Sequence, residues 1–232
     1  MKNIKRRFFI KSSSLIAGGL VLPSFKIERM ANNVNNKKLK VSVIGCGGRG
    51  TGAAVQALRA DDNVELIAMA DAFEDRLENS LAAIKEEMDG EKTIDVKEKN
   101  RFTGFNGYKK AIDLADVVIL ATPPGFRPLH FKYAIDNDKH VFMEKPVATD
   151  ANGVRQVLKT AKDAQQKKLN VVVGLQRRYQ FSYLNILKQV RRGVIGKITS
   201  GQVRWNGAGV WVRGRKPNQT EMEYQMRNWY YF

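Results

Sequence analysis

A strand, a glycine-rich turn and a helix follow one another without interruption from Lys40 to Arg59. Lys40-Val41-Ser42-Val43-Ile44 is a short β-branched run of the kind that forms a buried parallel strand. It leads directly into Gly45-Cys46-Gly47-Gly48-Arg49-Gly50, in which Gly45, Gly47 and Gly50 fit the pattern G-x-G-x-x-G. Ala53 to Arg59 then has strong helix propensity. Each glycine has a physical task in such a unit. Gly45 permits the tight turn, Gly47 lets the backbone approach a pyrophosphate, and Gly50 lets the helix pack closely on the strand. The N-terminus of the helix adds free N–H groups and a partial positive charge.

The surrounding sequence supplies the context that a lone glycine motif lacks. A second apolar run, Val64 to Ala70, ends in Asp71, 26 residues after Gly45. A carboxylate there would accept hydrogen bonds from the adenosine ribose and repel a 2′-phosphate, so NAD is favoured over NADP. Asp71 can also serve as the cap of the following helix, and the two roles are compatible. Alternation of helix and strand continues. A helix is expected over 75–88, a polar surface loop over 89–99, a short strand or turn over 102–108, a helix over 109–115 and a strand over 116–121. A helix over 127–137 and a strand over 141–143 follow. Two prolines, Pro123 and Pro124, end the 116–121 strand after Thr122. In a doubly wound sheet the ligand crevice lies at the carboxyl ends of the strands, so the glycine turn, Asp71 and Thr122–Pro124 should converge there.

Charge and composition narrow the reading further. The chain of 232 residues carries a net charge of +17, but unevenly. Residues 1–40 hold 10 Lys/Arg against 1 acid, residues 41–150 hold 14 against 19, and residues 151–232 hold 16 against 3. The part that carries the motifs is therefore acidic. The basic residues of the last third are not interleaved with aromatics as a nucleic-acid stacking platform requires, so no nucleic-acid partner is expected. One cysteine, Cys46, excludes an internal disulfide, and one cysteine with two histidines does not make a structural zinc site. No metal site is expected. His130 and His140 read as surface histidines or as supports behind a site, because no nucleophile motif accompanies them.

Residues 1–36 read as an address and a linker. Lys5-Arg6-Arg7-Phe8-Phe9-Ile10-Lys11 precedes a mild apolar stretch, Leu15 to Leu22, diluted by glycine. A twin arginine ahead of such a stretch resembles a Tat export signal, which implies the Tat machinery as a partner and a periplasmic or exported location. No clean cleavage site follows (Ala31 is a weak one), so an uncleaved membrane anchor is the alternative.

Val43 to Gly50, Ala121-Thr122-Pro123-Pro124 and above all Glu144-Lys145-Pro146-Val147-Ala148 together resemble the Gfo/Idh/MocA oxidoreductases. The resemblance runs from about Lys38 to the end of the chain. It implies an α/β fold, a Rossmann doubly wound parallel sheet over residues 37–148, followed over 149–232 by the start of an α+β substrate domain. It further implies NAD as cofactor, held by Gly45, Cys46, Gly47, Gly48, Arg49, Gly50, Asp71, Thr122, Pro123, Pro124, Glu144 and Lys145. Lys145 is the catalytic candidate. It would orient a substrate hydroxyl or carry its proton, and its bond to Pro146 is expected to be cis. Gln176, Arg177 and Tyr179 are candidate contacts for a sugar-like substrate.

Beyond residue 148 the expected elements are a helix over 151–168 with Val154, Val157, Leu158 and Ala161 on its buried face, a buried strand over 170–175, a helix over 183–192 and a strand over 197–205. Members of the family continue further, so the chain reads as an N-terminal fragment, with aromatics such as Trp205 and Tyr230 partly exposed. The second-domain sheet is also where a homo-oligomer would form. The expected activity is hydride transfer between a nicotinamide and a sugar or polyol-like hydroxyl. The alternatives are an NAD-dependent glycosidase working through transient oxidation, or a non-catalytic nucleotide-binding fragment.

Overall fold

The computed structural model describes residues 38–88 and 94–232, which form one unit from Lys38 to Phe232. The expected leader and linker of residues 1–36, and the first part of the loop expected over 89–99, lie outside the described residues. Six strands make one parallel sheet: β1 (Leu39–Ile44), β2 (Val64–Asp71), β3 (Arg101–Thr103), β4 (Val117–Leu120), β5 (His140–Met143) and β6 (Val171–Val173). Their spatial order is β3-β2-β1-β4-β5-β6. Val43 of β1 lies beside Met69 of β2 on one side and Ile119 of β4 on the other. The chain thus builds outward from β1 to β3, returns, and builds outward again from β4. That reversal opens a crevice at the carboxyl ends of β1 and β4.

Helices cover both faces of the sheet. α1 (Gly48–Ala60) and α2 (Glu74–Met88) enclose one core with Leu58, Leu77 and Ile84. α3 (Gly107–Leu114), α4 (Arg127–Asp136) and α5 (Ala151–Gln166) enclose the other with Ile112, Phe131 and Ile135. These six side chains are fully buried. Each contributes about 1.5–3 kcal/mol of transfer free energy. The strands read from β-branched runs appear within a residue or two of their expected bounds, because a parallel strand covered on both faces must be apolar throughout. The sheet also extends past residue 148: α5 and β6 complete it, so a boundary at 148 falls before its last strand.

Three expectations beyond that point are corrected. Of the expected face of α5 only Val157 is buried, together with Thr160 and Ala164, whereas Val154, Leu158 and Ala161 are exposed. The strand over 170–175 is only Val171–Val173, and as the sheet edge it leaves Val172 exposed. Residues 197–205 form no strand. Alternation alone is insufficient, since a strand is stable only with a partner to complete its ladder. After β6 the described residues contain α6 (Gln176–Tyr179), α7 (Phe181–Arg191) and α8 (Glu221–Arg227) and no strand. These described residues build no second sheet. Trp205, Tyr230 and Phe232 are exposed.

α8 is anchored to the Rossmann sheet's periphery. Its start carries a reciprocal cap between Thr220 and Glu223. Near its end the Arg227 guanidinium donates two hydrogen bonds, 3.0 and 2.9 Å, to the Asp75 carboxylate at the start of α2.

Candidate active site

The end of β1 shows why glycine is required in the turn. Gly45 has φ +95°, and a Cβ there would lie 2.5 Å from the Thr122 amide nitrogen. A Cβ on Gly50 would lie 1.9 Å from the Gly45 carbonyl oxygen. Gly48, by contrast, has open space around it. The first turn of α1 begins at Gly48 behind Gly47, which has no side chain to cap it. The N–H groups of that turn have no acceptor within the helix. A tight turn, an uncapped helix start and an open approach together fit the pyrophosphate of a dinucleotide.

Asp71, at the end of β2, lies across from this turn. Its carboxylate accepts the Cys46 N–H at 2.7 Å through Oδ2 and the Phe73 N–H at 2.9 Å through Oδ1. It therefore ties the glycine turn to β2 and caps the chain entering α2. Each oxygen keeps a lone pair for a ribose hydroxyl. Burial raises the carboxyl above its ordinary value, and the bonds to Phe73 and Cys46 act in the opposite direction. Cys46 contributes only backbone: its side chain is buried, donates weakly to the Ala70 carbonyl at 3.5 Å, and burial pushes its thiol well up.

On the other side of the crevice the loops after β4 and β5 meet. Lys145–Pro146 is a cis peptide bond. Glu144 is buried, and its carboxylate accepts from Arg49 Nη2 at 2.5 Å. Gly174 leaves room for that carboxylate, since a Cβ there would touch it at 3.2 Å. A cleft of about 1690 Å³ joins Gly45, Gly47, Gly48, Arg49, Asp71, Thr122, Pro123, Pro124, Glu144 and Lys145. Gln176, Arg177 and Tyr179, on α6 and exposed, line it too. Of the expected residues, only the Cys46 side chain and the buried Gly50 do not face this cleft; Gly50 instead sets the packing of α1.

The sequence reading missed Arg127. It is fully buried at the first position of α4, where it donates to the Thr122 carbonyl and, at 3.3 Å, to the Pro146 carbonyl. One guanidinium thus ties together the two loops that carry the T-P-P and E-K-P motifs. Burial lowers it to about 10, and the charge of Glu144 offsets part of that shift. His130, one turn further on, is buried, pairs with Thr122 Oγ1 at 3.2 Å, and stacks on Tyr108 at 4.1 Å. Burial, then Arg127, lowers it to about 4, so it is neutral at physiological pH. It supports Thr122 from behind. His140 opens β5, inside the sheet, and its Nδ1 accepts the Asn170 N–H at 2.9 Å.

Asp71 sets an expectation for cofactor choice. A 2′-phosphate near this carboxylate would meet like charge, so NAD should bind more tightly than NADP, by roughly tenfold for about 1.4 kcal/mol of repulsion. Asp71→Ala should narrow that ratio. Calorimetry giving equal affinities in the wild-type chain would remove the basis for this reading.

Comparison with known proteins agrees with the geometry. The family described as "Oxidoreductase family, NAD-binding Rossmann fold" matches residues 39–174. A glycosyl hydrolase family 109 protein of Shewanella sp. (strain W3-18-1) is 25% identical over 224 residues, covering 88% of this chain and 46% of its own length. An alpha-N-acetylgalactosaminidase of Shewanella oneidensis is 26% identical over 227 residues, with the same coverage of 88% and 46%. The chain thus spans about half the length of these relatives. Among solved structures, myo-inositol 2-dehydrogenase from Lactobacillus plantarum superposes with a TM-score of 0.55 at 29% identity, over 70% of this chain and 43% of that one. Scyllo-inositol dehydrogenase from Lactobacillus casei, solved with NAD(H) and scyllo-inositol, shares the fold with a TM-score of 0.55 at 24% identity, over 70% and 44% of the two chains. The glycine turn, Asp71 and the matched span make NAD the cofactor of this crevice, and the chain belongs to the Gfo/Idh/MocA oxidoreductase family.

Proposed function

We propose that the protein transfers hydride between NAD and the carbinol carbon of a sugar or polyol-like substrate. The observation that carries this reading is the placement of Lys145 in one cleft with the glycine turn, Asp71 and the polar residues of α6. NAD bound there supplies the hydride-accepting ring. The chain's own residues do the rest. The turn and α1 hold the phosphates, Asp71 holds the ribose, and Gln176, Arg177 and Tyr179 offer hydrogen bonds to hydroxyls. Loss of hydride from a carbinol carbon requires its hydroxyl proton to leave. The Lys145 amine orients that hydroxyl or carries the proton, leaving a ketone.

A second reading has its own support, since relatives covering 88% of the chain bear glycosidase names. In that case transient oxidation loosens a glycosidic bond and the electrons return to the sugar. One experiment separates the readings. The chain is incubated with NAD and a panel of polyols, sugars and N-acetylated glycosides, and both NADH and released sugar are followed. NADH accumulating with substrate supports the dehydrogenase. Released sugar without net NADH supports the glycosidase. Binding of NAD with neither product identifies a non-catalytic nucleotide-binding chain.

The twin arginine at Arg6-Arg7 supports export through the Tat machinery to the periplasm, with the leader either cleaved or kept as an anchor. Export of a folded reporter should be abolished by Arg6→Lys with Arg7→Lys. Unchanged export of the double variant would show that the leader is not Tat-dependent.

A further inference from the structure

Beside the main cleft lies a second cavity of about 630 Å³. One wall is the glycine turn at Gly47 and Gly48, another is the start of α2, and the third is the segment of residues 212–219 that precedes α8. Four cations border it: Arg76, Arg213, Lys216 and Arg227. Arg227 is neutralised by its paired bonds to Asp75, and it lies over the Phe73 ring at 4.1 Å. The other three form no ion pair with a carboxylate among the described residues. Burial, and next the charge of Arg213, lower the Arg76 guanidinium below its ordinary value, while Asp71 acts in the opposite direction.

The crowding is built in. Asn228, buried at the end of α8, accepts the Arg213 N–H at 2.7 Å and donates to the Arg213 carbonyl at 3.1 Å. Arg227, its neighbour, ties α8 to Asp75. Two successive links therefore deliver the Arg213 backbone to the rim of the glycine turn. Like charges gathered there repel one another, and an anion relieves that repulsion. The uncapped helix start on the same cavity favours the same sign of ligand.

We infer that Arg213 and Lys216, together with Arg76, complete the phosphate site that the glycine turn begins, holding the pyrophosphate of the dinucleotide with side chains as well as backbone. Residues 213 and 216 lie beyond the span matched by the family, which ends at 174. The segment before α8 thus belongs to the cofactor site. This inference rests on the assignment of the crevice to NAD.

The test measures NAD and adenosine binding by calorimetry at several salt concentrations. The proteins compared are the wild-type chain, Arg213→Met with Lys216→Met, and Arg213→Lys. Both side chains are exposed, and melting temperatures check that the variants fold. The double variant should weaken NAD about tenfold or more, because it removes two cations able to make charge-assisted hydrogen bonds to phosphate. It should also flatten the salt dependence and leave adenosine, which has no phosphate, unchanged. Arg213→Lys, which keeps the charge, should lose less. NAD affinity equal to wild type in the double variant overturns the inference, as does an equal loss for NAD and adenosine. A wild-type chain that binds no NAD overturns the cofactor assignment itself, and the inference with it.

Discussion

Gly50→Ala should destabilise the protein by roughly 3 kcal/mol or more and abolish NAD binding, while Gly48→Ala should leave stability within about 0.5 kcal/mol. The two glycines are two residues apart, yet the added methyl meets opposite surroundings. At Gly50 it would lie 1.9 Å from the Gly45 carbonyl oxygen and 3.3 Å from the Ala121 side chain. The first of these contacts is with backbone, so no rotamer change relieves it. Either α1 lifts from the sheet or the turn after β1 shifts. Lifting α1 exposes part of the core around Ala53, Ala54 and Leu58, all buried against β1 and β2. Shifting the turn moves Gly45, whose own Cβ direction is already closed by Thr122. At Gly48 nothing lies within 4 Å of the added carbon. Alanine there also gains helix propensity. Thermal and urea unfolding of the three proteins checks the contrast. Equal melting of Gly50→Ala and wild type would show that α1 does not pack as described.

That contrast marks what a sequence can disclose. The motif named Gly50 as the packing glycine because close approach of a helix to a strand admits no side chain. Strands β1, β2, β4 and β5 were legible for a similar reason: a strand covered on both faces leaves no polar alternative. α5 was harder. Its apolar residues fall in two adjacent stripes, and only the tertiary fold selects Val157 with Thr160 and Ala164 over Val154 with Leu158. A buried threonine and an exposed leucine both run against the pattern. The strand expected at 197–205 had alternation but no partner in the described structure. The site divides in the same way. Residues set by a local turn, such as Gly45 and Asp71, could be read from spacing. Arg127 could not, because its role depends on two carbonyls brought together from Thr122 and Pro146. The Arg49–Glu144 pair joins residues 95 apart, a link that no local pattern encodes.

Those long-range links also determine what Lys145 can do. Its predecessor, Glu144, is fixed by Arg49 and closely bordered by Gly174, and the carbonyl of its successor, Pro146, is held by Arg127. Lys145 therefore stands on a backbone braced from both sides, in the same cleft as the cofactor turn. A proton-handling group held in place contributes about 10²–10⁴ in rate. On the proposed reading, Lys145→Met should lower turnover by roughly that factor. NAD affinity should change by less than about threefold, since the phosphate and ribose contacts lie elsewhere in the cleft. Methionine keeps much of the side chain's length and removes its charge and its donors, so a loss of rate reports chemistry and not a collapsed loop. Arg127→Met should act differently. It frees both loops at once and deprives the Thr122 and Pro146 carbonyls of their shared donor, so it should lower stability together with turnover. Steady-state rates, calorimetric NAD affinity and melting temperature measured on the two variants separate these effects. Turnover of Lys145→Met within twofold of wild type would place the proton-handling group at another residue of the cleft.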